Sequence, residues 1–209
     1  MVKKLNLNLI RNKFKTNGIF VFTPFSLQKY FDVSSNAASL FLSRNVKKKN
    51  IIKLKNGFYS FAGDYINEML IANKIYEPSY VSLEYALSFY NIIPETVYSI
   101  TSVTTKTTRE FNINNIAYSY LHIKKTAFTG YVKKYFDEQV ALIAEPEKAL
   151  ADWIYFLSLG KKGLNDRLEL KNINKKKLIG YCNLFQRKNL IKLIEKIYDE
   201  VGRNSKIIY

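Results

Sequence analysis

The stretch from Ser34 to Ser60, SSNAASLFLSRNVKKKNIIKLKNGFYS, decides the architecture of the first part of the chain. Its first half places Ala38, Phe41, Leu42 and Val46 at helical spacing, while Ser35, Asn36, Ser39 and Ser43 fall largely on the other side. This predicts a helix over about 35–47 whose outer face is short, polar and free of acid. A helix that enters the major groove of DNA needs such a face, because bulky side chains are excluded by width and acidic ones by charge. Asn36 has the amide geometry to pair with adenine, and Arg44 can meet guanine or a phosphate. Lys47, Lys48 and Lys49 follow at the helix C-terminus, where positive charge also suits the helix dipole. Next, Asn56-Gly57 joins two β-prone segments and predicts a hairpin with a type I′ turn. Within it Lys53 and Lys55 alternate with Ile52 and Leu54, so one face is expected to be basic, its lysines gripping the DNA backbone, and the other packed.

Working outward toward the N-terminus, LNLNLIRNKFKTNGIF predicts a first helix that stops near Asn17-Gly18. In FTPFSLQKYF, Thr23 suits an N-cap and Pro24 the first helical position, with Phe25, Leu27, Tyr30 and Phe31 as apolar anchors. Val33 lies in the turn, and Ser34 or Ser35 can cap the helix that follows. Three helices and a basic hairpin in this order predict a winged helix-turn-helix over residues 1–62.

Charge points the same way. The chain of 209 residues carries a formal net charge of +16, distributed unevenly. Residues 1–60 hold 12 Lys and Arg against 1 acid, 61–160 hold 8 against 11, and 161–209 hold 13 against 5. A module that contacts phosphates beside a near-neutral body produces such a partition, whereas solubility alone does not require it. Apolar residues make up 47% of the chain, enough for a packed core. No apolar run approaches the ~20 residues that span a bilayer, and the polar, interrupted N-terminal segment is unlike a secretory signal. A single cysteine, Cys182, excludes an intrachain disulfide. These features lead us to expect a cytoplasmic protein with no membrane partner.

Past residue 62 the composition changes, and residues 63–209 read as a mixed α+β domain, making the whole chain α+β. INEMLIANKIY and SLEYALSFYNII are amphipathic helices separated by Pro78, and TVYSITSVTTKTTREF is a strand or strand pair. IAYSYLHIK and QVALIAE read as further strands, and EPEKALADWIYFLSL as a helix that opens on Pro146. KKLIGYCNLF and NLIKLIEKIYDEV are helical. A catalytic site is not evident: there is no phosphate-cradling glycine loop and no nucleophile elbow. His122 is the only histidine, Cys182 sits among apolar residues, and Glu147 and Asp152 on one helix make a weak acidic pair. No cofactor or metal is expected.

Four segments together resemble the AbiEi-type antitoxins, transcriptional regulators of type IV toxin–antitoxin and viral-defence operons. SSNAASLFLSRNVKKKNIIKLKNGFYS is similar to that family's recognition helix and basic wing, with Gly57 and Tyr59 at its end. EPSYVSLEYALSFYNIIPE is similar to the segment after its linker, through Ser82, Ala86 and Leu87. VYSITSVTTKTTREF is similar to its Thr-rich strand leading to an arginine, here Arg109. IAEPEKALADWIYF is similar to its A-x-P-E-K-A-x-x-D signature, here Ala144, Pro146, Glu147, Lys148, Ala149 and Asp152. The similarity covers roughly residues 20–200, and the last segment is the most specific.

This chain departs from the family where Asn45 stands for a leucine and Lys49 for a glycine, which predicts looser helix packing and a harder turn. The resemblance implies a non-catalytic repressor that binds inverted repeats in its own promoter, with an antitoxic C-terminal domain. It also implies functional pairing with a nucleotidyltransferase-like toxin, without need of a stable complex. Arg109, Glu147, Lys148 and Asp152 enter as antitoxicity or structural signature residues. Rival readings are an RNA-binding or stand-alone regulatory module without a toxin partner, and a metal-dependent nuclease using acidic residues of the second domain.

Overall fold

The computed structural model of the protein describes residues 5–204. Its N-terminal segment is built from α1 (Leu7–Thr16), α2 (Pro24–Phe31) and α3 (Ser35–Lys47), followed by a hairpin of β1 (Ile51–Lys55) and β2 (Phe58–Phe61). Each helix starts where a side chain can satisfy free backbone donors. Asn6 accepts from the amides of Asn8 and Leu9, Ser34 accepts from Ala37, and Thr23, just ahead of Pro24, and Ser26, in the first turn, cap α2 reciprocally. Asp32, in the left-handed conformation at φ 52°, ends α2 and lets the chain turn into α3.

Ile10, Phe14, Phe22, Leu27, Ala38, Leu42, Ile51 and Phe61 form the core of this segment. Rings dominate it, with Phe14 within 5.2 Å of Phe22 and 5.7 Å of Phe31, centroid to centroid. Two expected anchors of α2 behave otherwise. Phe25 is 68% exposed, and Tyr30 only leans its edge on Phe14. The helix is too short to bury both sides, and Leu27 takes the inward one.

The hairpin differs from its expected form. Gly57 has φ 82° but Asn56 is not left-handed, so the turn is not type I′, which needs both. The register slips between Lys53 and Lys55, and this irregularity breaks the expected alternation. Ile51 and Leu54 are buried, while Ile52 is exposed.

A separate C-terminal region begins at α4 (Glu68–Ile75) and continues through β3 (Ser79–Val81), α5 (Leu83–Phe89), β4 (Ile100–Thr104), β5 (Arg109–Ile113) and β6 (Ile116–His122). A 3-10 turn at Lys125–Ala127 leads to β7 (Tyr131–Phe136), β8 (Gln139–Ala144), α6 (Pro146–Ser158), α7 (Lys175–Asn183) and α8 (Asn189–Asn204). The six strands form one mixed sheet in the order β5-β6-β4-β3-β8-β7. Antiparallel and parallel pairings alternate across it. Its central strand β4 is buried along its whole length, as a strand covered on both faces must be. Tyr120 donates to the Ala72 carbonyl of α4 at 2.6 Å, and Tyr80 reaches α6 by donating to Asp152 at 3.1 Å.

The passage from hairpin to sheet is pinned by side chains that replace missing backbone partners. The Gln139 amide accepts from Asn67 N–H at 2.8 Å and donates to the Tyr65 carbonyl at 2.9 Å. Asn73 treats both peptide groups of Leu142 in the same way, accepting at 2.6 Å and donating at 3.2 Å. Arg11 pairs with Asp64 and donates to the Ala62 carbonyl at 3.3 Å. Val21 and Leu54, from the N-terminal segment, belong to the larger core of the C-terminal region, and Phe20 and Phe58 pack against it.

Candidate nucleic-acid interface

The outward face of α3 follows from what its inward face must bury. Ala38, Leu42 and Asn45 are buried, which leaves Ser35, Asn36, Ser39, Leu40, Ser43, Arg44 and Lys47 exposed. No acidic side chain lies on this helix. Leu40, 55% exposed among the serines, was not among the expected face residues. Leucine normally counts toward a core, so spacing alone hides it. On a groove-facing helix it offers an apolar contact suited to a thymine methyl.

Asn45 does not loosen the packing, contrary to expectation. Its amide donates to the Phe41 carbonyl at 2.9 Å and accepts from the Asn50 side chain at 3.2 Å. Asn50 N–H closes the loop onto the Asn45 carbonyl at 2.9 Å, so this buried polar residue fixes the exit from α3. Lys49 does adopt the left-handed turn conformation, at φ 59°. Lys47, Lys48 and Lys49 are exposed, as is Lys53 on β1.

Lys55 is placed elsewhere. Its ammonium lies 4.0 Å from the centroid of Phe111 on β5 and 4.9 Å from Phe58. Burial, with the charges of Arg109 and Lys106 behind it, holds its amine below the ordinary lysine range. The expected pair of solvent-facing strand lysines is therefore a single one, Lys53, and Lys55 ties the hairpin to the sheet.

The signature residues separate into two places. Arg109 is exposed on the edge strand β5. Lys148 and Asp152 are fully buried one helical turn apart in α6 and form an ion pair. Asp152 also accepts from Ser82 Oγ at 2.7 Å and from Tyr80 OH at 3.1 Å. Burial pushes its carboxyl above the usual range, against the pull of Lys148 and these two donors. The Lys148 ammonium rests 4.8 Å from the Phe185 ring. Glu147, also buried, accepts from Asn174 N–H at 3.2 Å and from Lys177 at 3.3 Å, bracing α6 against the start of α7.

Lys148 and Asp152 are closed off from solvent, and Glu147 is nearly so. Cys182 is buried beside them, with its thiol pushed up to about 12 by burial. His122, on the rim of the sheet, shares its Nδ1 with the Lys106 carbonyl at 2.9 Å. Among the described residues, no group of His, Cys, Asp and Glu is arranged to hold a metal ion, and no helix is long and apolar enough to cross a membrane. Neither the models of known protein families nor the curated proteins contain a match to this chain.

Proposed function

We propose that the protein is a non-catalytic, sequence-specific transcriptional regulator whose N-terminal segment acts as a winged helix-turn-helix on double-stranded DNA. The observation that carries this reading is the exposed, acid-free face of α3, held on a buried aromatic core and followed by a run of exposed lysines. Ser35, Asn36, Ser39, Leu40 and Ser43 read base edges in the major groove, while Arg44, Lys47, Lys48, Lys49 and Lys53 hold phosphates. The resemblance of the four segments to AbiEi-type antitoxins supports the finer reading. In it, the protein represses its own operon by binding promoter inverted repeats and counters a nucleotidyltransferase-like toxin without a stable complex.

The test is a titration of the purified chain against a duplex carrying its own upstream region, beside a scrambled duplex, at two salt concentrations. Preferential binding to the upstream duplex is the expected outcome. Equal, strongly salt-sensitive binding to both would leave a basic surface without specificity and overturn the regulator reading. Tighter binding to an A-form RNA duplex would move the protein to a different class of partner.

A further inference from the structure

The most conspicuous charge arrangement outside α3 lies where the hairpin meets the sheet. The ammonium of Lys55 and that of Lys106, from the β4–β5 loop, both face the ring of Tyr76, at 6.0 and 5.6 Å from its centroid. Arg109 stands two residues before Phe111, the ring under Lys55, and so shares its face of β5, while Glu110 points the other way. Among the described residues none of the three cations is ion-paired with a carboxylate. Ring faces compensate cations only weakly. Three like charges held together therefore raise the energy of this corner unless an anion joins them.

Lys106 and the backbone that leads to Arg109 cannot simply swing away, because the β4–β5 loop is tied at several points. The Lys106 carbonyl meets His122 Nδ1 at 2.9 Å, and its N–H donates to Thr104 Oγ1 at 3.1 Å. Tyr76 OH donates to the Thr107 carbonyl at 2.9 Å, and Thr108 Oγ1 accepts from His122 N–H at 3.2 Å. That last bond leaves the Thr108 hydroxyl proton free to donate. Lys106, Thr107, Thr108 and Arg109 are all exposed, so the corner is open and not an enclosed pocket. An open, rigid row of cations and hydroxyls suits an extended anion whose charges are spaced along a chain.

We propose that Lys106 and Arg109, with the ring-docked Lys55 adding its charge behind them, form a second phosphate-binding site, contributed by the C-terminal sheet, which holds the backbone of a DNA duplex. The identity of the anion rests on the regulator reading above; the existence of the site does not. The hairpin tip is spent on the sheet, and the sheet supplies in exchange the cations that such a tip would otherwise present.

The test compares the full-length chain with the double variant Lys106→Gln/Arg109→Gln and a charge-matched control, Lys188→Gln/Lys192→Gln. Affinity for a duplex of about three helical turns is followed across a salt series. Loss of two phosphate contacts lowers the salt slope by about two, so a fourfold rise in salt should cost the variant roughly tenfold less affinity than the wild type. The control should keep the wild-type slope. In parallel, tripolyphosphate should raise the Tm of the wild type and the control more than that of the variant.

An unchanged salt slope overturns the proposal while the α3 reading stands. If the wild type ignores the duplex altogether, the regulator reading falls and the duplex with it. A tripolyphosphate shift confined to wild type and control would then still locate a phosphate site. Equal shifts in all three proteins would overturn it.

Discussion

A charge without solvent must be matched at close range, and Lys148 and Asp152 match each other across one turn of α6, with Ser82 and Tyr80 completing the acceptor's shell. Removing one partner strands the other. Lys148→Met is therefore expected to lower the unfolding free energy by about 3–5 kcal/mol in urea titrations, and the double variant with Asp152→Leu should regain much of that loss. Ser82, busy with Asp152, makes no side-chain cap to α5, and Thr101 Oγ1 does this work instead, accepting from Tyr85 N–H at 3.0 Å. Nearby, burial alone would raise the Glu145 pKa, but hydrogen bonds from Tyr181 and Lys177 bring it below the ordinary carboxylate range. A depressed carboxyl pKa gives stability that is present above the unfolded pKa and lost as pH falls through the folded one. Tyr181→Phe should thus be less stable than wild type at neutral pH, with the gap closing in acid, as read by Tm against pH.

At the scale of elements, local chemistry was legible wherever a turn or cap decides it. The stop of α1 at Asn17, the Thr23–Pro24 start of α2, and the bounds of α3 and the hairpin strands follow from a few residues each. Two strands escaped for opposite reasons. β3 has three residues, all buried, and shows no periodicity; β7, in YVKKYF, is a sheet edge exposed along most of its length, so it has no apolar face to alternate. The outward placement of Ser35, Asn36, Ser39 and Ser43 could be written from spacing, but the docking of Lys55 onto Phe111 could not, because it depends on a residue 56 positions away. The link after α3 offers a prediction with two signs. Lys49→Gly relieves a left-handed residue and should raise stability by about 1 kcal/mol in denaturant. If Lys49 holds a phosphate as proposed, the same change should lower the salt slope of duplex binding by about one. On α3 itself, Asn36→Ala should cost about 1–3 kcal/mol on the upstream duplex and less on the scrambled one, measured by equilibrium titration.

Across the whole molecule, the two cores meet through Val21, Leu54, Phe20 and Phe58, with Gln139, Arg11 and Asp64 bonding around them. Gln139→Ala would leave the Asn67 N–H and the Tyr65 carbonyl without their partner. It should split a single thermal transition into two, visible by calorimetry, because the N-terminal segment then melts from the sheet on its own. The same junction bears on how such a protein could be rearranged over evolutionary time. A terminal module, or head, is readily shuffled between unrelated bodies when the seam is polar. Here a head cut free after residue 62 would carry an unmasked greasy patch and a lysine whose aromatic bed has gone, so it should clump until Val21, Leu54 and Phe58 are made polar. Head and body would have to change together, each acting as a brake on the drift of the other.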